Sequence, residues 1–362
     1  MTKVTIAGCG VVGATIAYEL SKCPELDVTV IDRQPAPVEP DLSVYPSATG
    51  AALGVLMGAI SKKEKGNNLR MRLFGIQYYE QIIPELEALT NLAIPFNRHG
   101  ILMLQFEQDQ SVWERLIPIR ERQGWTLELL NPDRLQQDFP FLSLKGVSAA
   151  VYSPGDRQVN PVALTRALIA GAMRNGATFR FDTCVTNASE QTIYTSNGDI
   201  PSDYLVIAAG LGSAALTASL AASVDIRPVL GQAIQVRLQE PLGDRLPVLT
   251  GNDVHLVPLE GAEYWIGATV EFPDETGTSL PPDRSMFDAV MSQAIEMCPA
   301  IAEAETIRTW YGLRPRPQGR PAPIIETLPG HPTVLLATGH YRNGVLLAPA
   351  TAAQVKEAIL KG

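Results

Sequence analysis

Residues 4–13 read Val4-Thr5-Ile6-Ala7-Gly8-Cys9-Gly10-Val11-Val12-Gly13, and Asp32 stands 19 residues beyond the last of these glycines. The run before Gly8 has the make-up of a buried strand. Ala14, Ala17 and Leu20 recur at helical spacing, and residues 28–31 form a second apolar run that ends at Asp32. The spacing predicts a β-α-β unit with Gly8-x-Gly10-x-x-Gly13 at its first turn, the arrangement of a dinucleotide site. Gly8 permits the tight turn, Gly10 lets a pyrophosphate approach the backbone, and Gly13 lets helix and strand pack closely. The helix N-terminus offers N–H groups and partial positive charge to phosphates, and the Asp32 carboxylate suits a ribose diol. This fingerprint alone leaves FAD and NAD both open. Cys9, inside the loop, reads as a small filler.

Outward from this unit, the chain has 362 residues, 46% hydrophobic, with 29 Lys and Arg against 38 Asp and Glu and a net charge of −9. At about 100 to 200 residues per domain, two domains or one large one are expected. The acidic balance argues against nucleic acid or an anionic membrane face as main partner, because both are bound through Lys and Arg. Cys9, Cys23, Cys184 and Cys298 are scattered, with no C-x-x-C and no histidine at ligand spacing, so free thiols and no metal are expected. The N-terminus lacks the pattern of a signal peptide, and no apolar run reaches the ~18 residues of a membrane span. A cytoplasmic protein is the expectation. Self-association into a homo-oligomer stays open.

Further along, four prolines interrupt residues 33–47, which read as a surface excursion. Helices are expected over 67–89, 109–123, 161–175, 282–297 and 344–360, and strands over 96–106, 148–152, 204–208, 226–237, 254–257, 264–267, 306–312 and 333–337. Asn160 before Pro161 is a capping signal, and Ser196-Asn197-Gly198 marks a hairpin turn. The fold class is α/β: a Rossmann-like dinucleotide domain with a discontinuous antiparallel-sheet second domain. The expected division is 1–80 with 145–220 and 325–362 against 81–144 with 221–324.

With these residues in hand, the chain resembles the D-amino-acid oxidase family of FAD enzymes, most closely its glycine oxidase branch. Beyond the fingerprint, Ala48-Thr49-Gly50-Ala51-Ala52-Leu53-Gly54-Val55-Leu56 resembles the family's small-residue loop beside the flavin. Leu205-Val206-Ile207-Ala208-Ala209-Gly210 resembles the strand that closes the FAD site. The most specific segments are Gly312-Leu313-Arg314-Pro315 and the run from Thr338 through Gly339-His340-Tyr341-Arg342-Asn343-Gly344-Val345 to Thr351.

The resemblance implies noncovalent FAD held by Gly8, Gly10, Val11, Val12, Gly13, Asp32, Arg33, Thr49, Gly50, Ala51, Ala52, Leu53, Gly54, Ala209, Gly210 and residues 339–345. It also implies a small amino-acid substrate (glycine, sarcosine or a D-amino acid), with oxygen or another electron acceptor. Arg314 would grip the substrate carboxylate, and Arg342 and His255 would join it at the catalytic end. An arginine fork matches a carboxylate, and such a grip fixes the α-carbon. Two departures bear on the substrate. His255 stands where glycine oxidases carry a tyrosine, and Gln318-Gly319-Arg320-Pro321 replaces their Asp-Gly-x-Pro. Cys298 lies too early to match the flavin-linking cysteine of the related sarcosine oxidases.

Other readings stay open on the residues. One is an amino-acid dehydrogenase that passes electrons to a quinone, and another is a nicotinamide enzyme. The third is a binding module, since residues 314–321 alternate arginine and proline like a ligand for an SH3-type domain. Across residues 306–345, Arg308, Arg314, Arg316, Arg320 and Arg342 face one acid, Glu326. That local excess is compatible with a basic pocket for a small carboxylate.

Overall fold

The computed structural model describes residues 1–35, 47–189 and 191–361. The opening unit forms as its pattern predicts: strand Thr2–Ala7, helix Val11–Ser21 and strand Leu26–Ile31, the strands parallel with Ile6 opposite Val30. Gly8 takes a φ of +105°, and a Cβ on Gly13 would lie 1.9 Å from the Gly8 carbonyl oxygen. Only glycine seats the helix this close to the turn. Most of the excursion expected at 33–47 lies outside the described residues.

A six-stranded sheet grows around this unit in the order Ile324–Thr327, Val334–Thr338, Tyr204–Ile207, Thr2–Ala7, Leu26–Ile31, Thr178–Arg180. Every pairing is parallel except the outermost, between Ile324–Thr327 and Val334–Thr338. Helix Val11–Ser21 packs between Pro161–Arg174 and Gly344–Lys361, burying Ile16, Leu20, Leu168 and Leu347 in one cluster. Asn160 caps its helix by accepting from the Val162 and Ala163 N–H groups.

The second sheet has eight strands, in the order Glu305–Pro317, Ile226–Arg237, Glu263–Gly267, Val254–Pro258, Val248–Gly251, Ile101–Gln105, Ala149–Ser153, Glu128–Leu130. It departs from the antiparallel expectation at one pairing. Val248–Gly251 runs parallel to Ile101–Gln105, which a long connection permits and a hairpin does not. The strand expected over 96–106 is split at Gly100 into Phe96–Asn97 and Ile101–Gln105.

The strand expected over 306–312 instead runs from Glu305 to Pro317, with Arg314 opposite Val229. Its edge position lets it hold prolines, whose missing N–H weakens an inner ladder. Residues 314–317 are therefore sheet, with Pro315 and Pro317 buried, and not the extended polyproline ligand that their alternation suggests.

The segment that joins the two sheets is pinned by buried charge. Asp156 accepts from the N–H groups of Gly58, Ala59 and Ile60 at 2.7, 2.9 and 2.8 Å. Arg120 donates to the carbonyls of Ala59, Ser61 and Lys63 at 2.7, 2.7 and 2.5 Å. Burial raises the Asp156 carboxyl pKa, and the three N–H groups pull against it. Asp156→Ala strands three buried donors, and we expect it to cost at least about 3 kcal/mol of stability in a denaturant titration. A loss below about 1 kcal/mol would show that the segment is held by something else.

Candidate active site

A cavity of about 630 Å³ opens above the carboxyl ends of strands Thr2–Ala7, Leu26–Ile31, Tyr204–Ile207 and Val334–Thr338. In parallel α/β sheets this is where ligands bind. Gly8, Asp32, Ala208 and Gly339, each just past a strand end, line it. The Asp32 carboxylate accepts from the Cys9 N–H at 2.5 Å and the Gln34 N–H at 2.8 Å, which fixes its place on the wall. The first helix presents its N-terminus here. Its Val11 N–H, expected to be free, donates to the Thr49 hydroxyl at 3.0 Å. Burial and the Asp32 charge push the Cys9 thiol pKa well up, so this residue is inert filler.

Two glycines border open space. A Cβ on Gly210 would meet nothing nearer than Pro315 Cγ at 3.9 Å, and on Gly344 nothing nearer than His340 Cβ at 3.7 Å. The backbone thus leaves room along the wall for a bulky group, and the Asp32 carboxylate offers an acceptor for a ribose diol and the helix N-terminus donors for phosphate, which fits FAD.

The far end of the same cavity belongs to the eight-stranded sheet. Arg314 comes from its edge strand, and both Nη1 hydrogens go to backbone carbonyls, Leu230 at 3.1 Å and Thr269 at 3.0 Å. Nη2 and Nε have no acceptor, and no carboxylate lies within ion-pair distance among the described residues. The guanidinium lies on Gly231, where a Cβ would be 2.1 Å from Nη2. Burial first, and then the Arg342 charge, lower the Arg314 pKa to about 10, so it remains cationic at neutral pH.

His255 lines this end, with Nδ1 2.8 Å from the Thr250 hydroxyl. Its pKa falls to about 4, chiefly through burial and then through Arg342 and Arg314, while Asp253 pulls the other way. Arg342 also lines the cavity. Its one ion partner among the described residues is Asp253, at 3.7 Å.

The cavity wall also takes in Gly10, Val12, Arg33, Ala51, Ala52, Leu53, Gly54, Ala209, Tyr341 and Val345 from the sequence reading. Gly13, Gly50 and Asn343 are not on it, and Gly13 serves the helix packing instead. His340 borders the cavity, but its Nε2 lies 2.9 Å from the Thr351 hydroxyl, which itself donates to Leu347, so the imidazole is tied to the last helix.

Residues 183–186, Gly231 and Asp253 are lining residues that the sequence reading missed. The first follow a short strand with no motif, and the other two reach the site only through sheet register. Among the described residues no metal-holding cluster occurs and no helix is long and apolar enough to cross a membrane.

A largely parallel sheet with a dinucleotide cradle, joined to a second sheet that supplies a cation without an anionic partner among the described residues, is the arrangement of a dinucleotide-dependent oxidoreductase. The family described as FAD dependent oxidoreductase matches residues 3–358, and this chain belongs to it. The chain is similar to the glycine oxidase of Bacillus subtilis, 26% identical over 99% of this chain and 93% of that protein. It is also similar to the bifunctional protein ThiO/ThiG of a Nostoc species, 30% identical over all of this chain and 53% of that one. The crystal structure of glycine oxidase from Geobacillus kaustophilus superposes with a TM-score of 0.86 at 26% identity, covering 100% of this chain and 95% of that one. FAD is the cofactor of this family.

Burial pushes both His255 and His340 down to about 4, from an ordinary value of 6.5. Below about 6.5 the unfolded chain takes up protons that the native histidines refuse. Stability is therefore full above about 6.5 and falls as pH drops towards 4. Thermal denaturation from about pH 7.5 to about pH 4.5 should show this fall, and it should be shallower in His340→Gln. An unchanged slope in that variant would remove His340 as a source.

Proposed function

We propose that the protein is an amino-acid oxidase that takes a hydride from the α-carbon of a small amino acid (glycine, sarcosine or a D-amino acid), in the cytoplasm. The observation that carries this reading is Arg314: a desolvated cation on a cavity wall, with donors left over and no anion among the described residues to meet them. An α-carboxylate answers that need through two parallel N–H···O bonds. The four cysteines are unpaired, which suits a reducing compartment.

The division of labour follows the sheets. Residues 1–80, 145–220 and 325–362 hold noncovalent FAD, and residues 81–144 and 221–324 hold the substrate, with strand Ala149–Ser153 joining the substrate sheet. Held by these residues, FAD would supply the hydride acceptor, and oxygen would reoxidise it to give hydrogen peroxide. Arg314 fixes the carboxylate, and Gly231 leaves the guanidinium its seat. His255 presents an uncharged ring beside the substrate and so adds no charge of its own to repel the amine. As the hydride leaves, the amine lone pair closes a C=N bond; water then converts the imine to an oxo acid and ammonia or an alkylamine.

Purified enzyme mixed anaerobically with glycine, sarcosine and D-alanine should lose its flavin colour and, in air, release peroxide. Bleaching without peroxide would favour a dehydrogenase that uses a quinone, and no bleaching across the panel would end this reading. Arg314→Ala should raise KM by about 100-fold, the worth of a charge-assisted pair, without loss of FAD content. Gly231→Ala should mimic it, because its Cβ evicts the guanidinium. A normal KM in Gly231→Ala would mean that Arg314 finds another seat.

A further inference from the structure

Two further arginines, Arg342 and Arg316, have no use in the reaction as described, and of these only Arg342 is on the cavity wall. Arg342 lines the cavity, yet no hydrogen-bond acceptor meets its guanidinium among the described residues. Its partner Asp253 stands at 3.7 Å with a side chain 84% exposed, so water screens that pair. Arg316 lies 5.2 Å from the Phe272 ring and 5.8 Å from the Tyr341 ring, with no ion pair among the described residues. Arg342 lies 5.6 Å from the same Tyr341 ring. Tyr341, which lines the cavity, is thus flanked by two guanidiniums. The other nearby acid, Glu271, is already occupied by Gln232, the Thr269 hydroxyl and the Asp283 N–H.

One carboxylate on Arg314 leaves the donors of Arg342 and Arg316 unspent. The Arg342 side chain is 39% exposed, so water meets its donors, and an anion entering the cavity can replace that water with a charge-assisted pair. We propose that Arg342, supported by Arg316 across the Tyr341 ring, forms a second anion subsite, and that the preferred substrates are amino acids with a second acidic group. This rests on the amino-acid oxidase reading for the reaction, but not for the binding. Arg314 takes the α-carboxylate, and the side-chain acid reaches the Arg342 end.

Two measurements on the FAD-loaded enzyme separate the ideas. D-aspartate and D-asparagine are nearly isosteric and differ in charge, as do the unreactive ligands succinate and succinamate. The enzyme should favour D-aspartate over D-asparagine in kcat/KM, and succinate over succinamate in the Kd read from flavin absorbance. Each preference should be roughly 10- to 100-fold, the range of a charge-assisted hydrogen bond. In Arg342→Met both ratios should fall close to one, and in Arg316→Met they should fall part of the way.

Oxidation of D-alanine or glycine with no preference for D-aspartate overturns the subsite and leaves the oxidase intact. Tight, Arg342-dependent succinate binding with no bleaching by any amino acid upholds the subsite and overturns the oxidase. Ratios that persist in both variants overturn the assignment of these arginines.

Discussion

The approach of three backbones at Gly8 is the constraint on which the rest of the structure depends. A Cβ there would stand 2.6 Å from the Ala208 carbonyl oxygen, and one at Gly13 would stand 1.9 Å from Gly8's own. The end of strand Tyr204–Ile207, the turn after Thr2–Ala7 and the first helix are therefore locked at one point. Any larger atom would separate them at the cost of overpacking, typically about 1–3 kcal/mol. The cavity is the space above this point. Its walls are strand ends whose heights are set by parallel register, so Asp32, Ala209 and Gly339 reach it together although they are far apart in sequence.

Two arginines show how the fold separates structure from function. Arg120 is fully buried and commits Nε, Nη1 and Nη2 to protein oxygens, from Ala59, Gln123, Ser61 and Lys63. Its charge is consumed in holding a loop. Arg314 is also desolvated, but among the described residues only Nη1 is engaged. Backbone carbonyls orient the fork without neutralising it, which keeps a full positive charge available. Removing a cation from water is costly unless something compensates. Here the compensation is left incomplete on the side that faces the cavity, and a ligand can complete it.

The dinucleotide half was legible because its chemistry is local: glycines at fixed spacing, two apolar runs and a carboxylate lie within thirty residues of one another. The last helix and its glycine-rich approach were legible for the same reason. The second sheet was less so. That Arg314–Pro317 continue a strand depends on the partner strand Ile226–Arg237 lying alongside, and local sequence full of proline argues for a loop. The seat of Arg314 on Gly231 is a relation between two strands in register, with no signal in either one. Asp253 escaped notice because its left-handed backbone, with φ of 64°, carries it to the cavity mouth from a turn that reads as ordinary surface. His340 shows the reverse case. Its position beside the glycines made it a candidate, while its hydrogen bond to Thr351, eleven residues further on, leaves no signal in the local sequence.

The net charge of −9 reads as an argument against anionic partners, and for extended polyanions it stands. For a small anion the relevant quantity is local. At physiological salt the screening length is about 8 Å, so acids scattered over the exterior scarcely act at the cavity. Within residues 306–345, Arg320 is engaged by Glu326, and Arg308 donates to Gln235. That leaves Arg314 and Arg342 as cations on this part of the cavity wall, close to low-dielectric walls that strengthen their field. Exterior acids and interior arginines thus do different work. The first sets solubility and repels phosphate polymers, and the second makes the cavity locally positive.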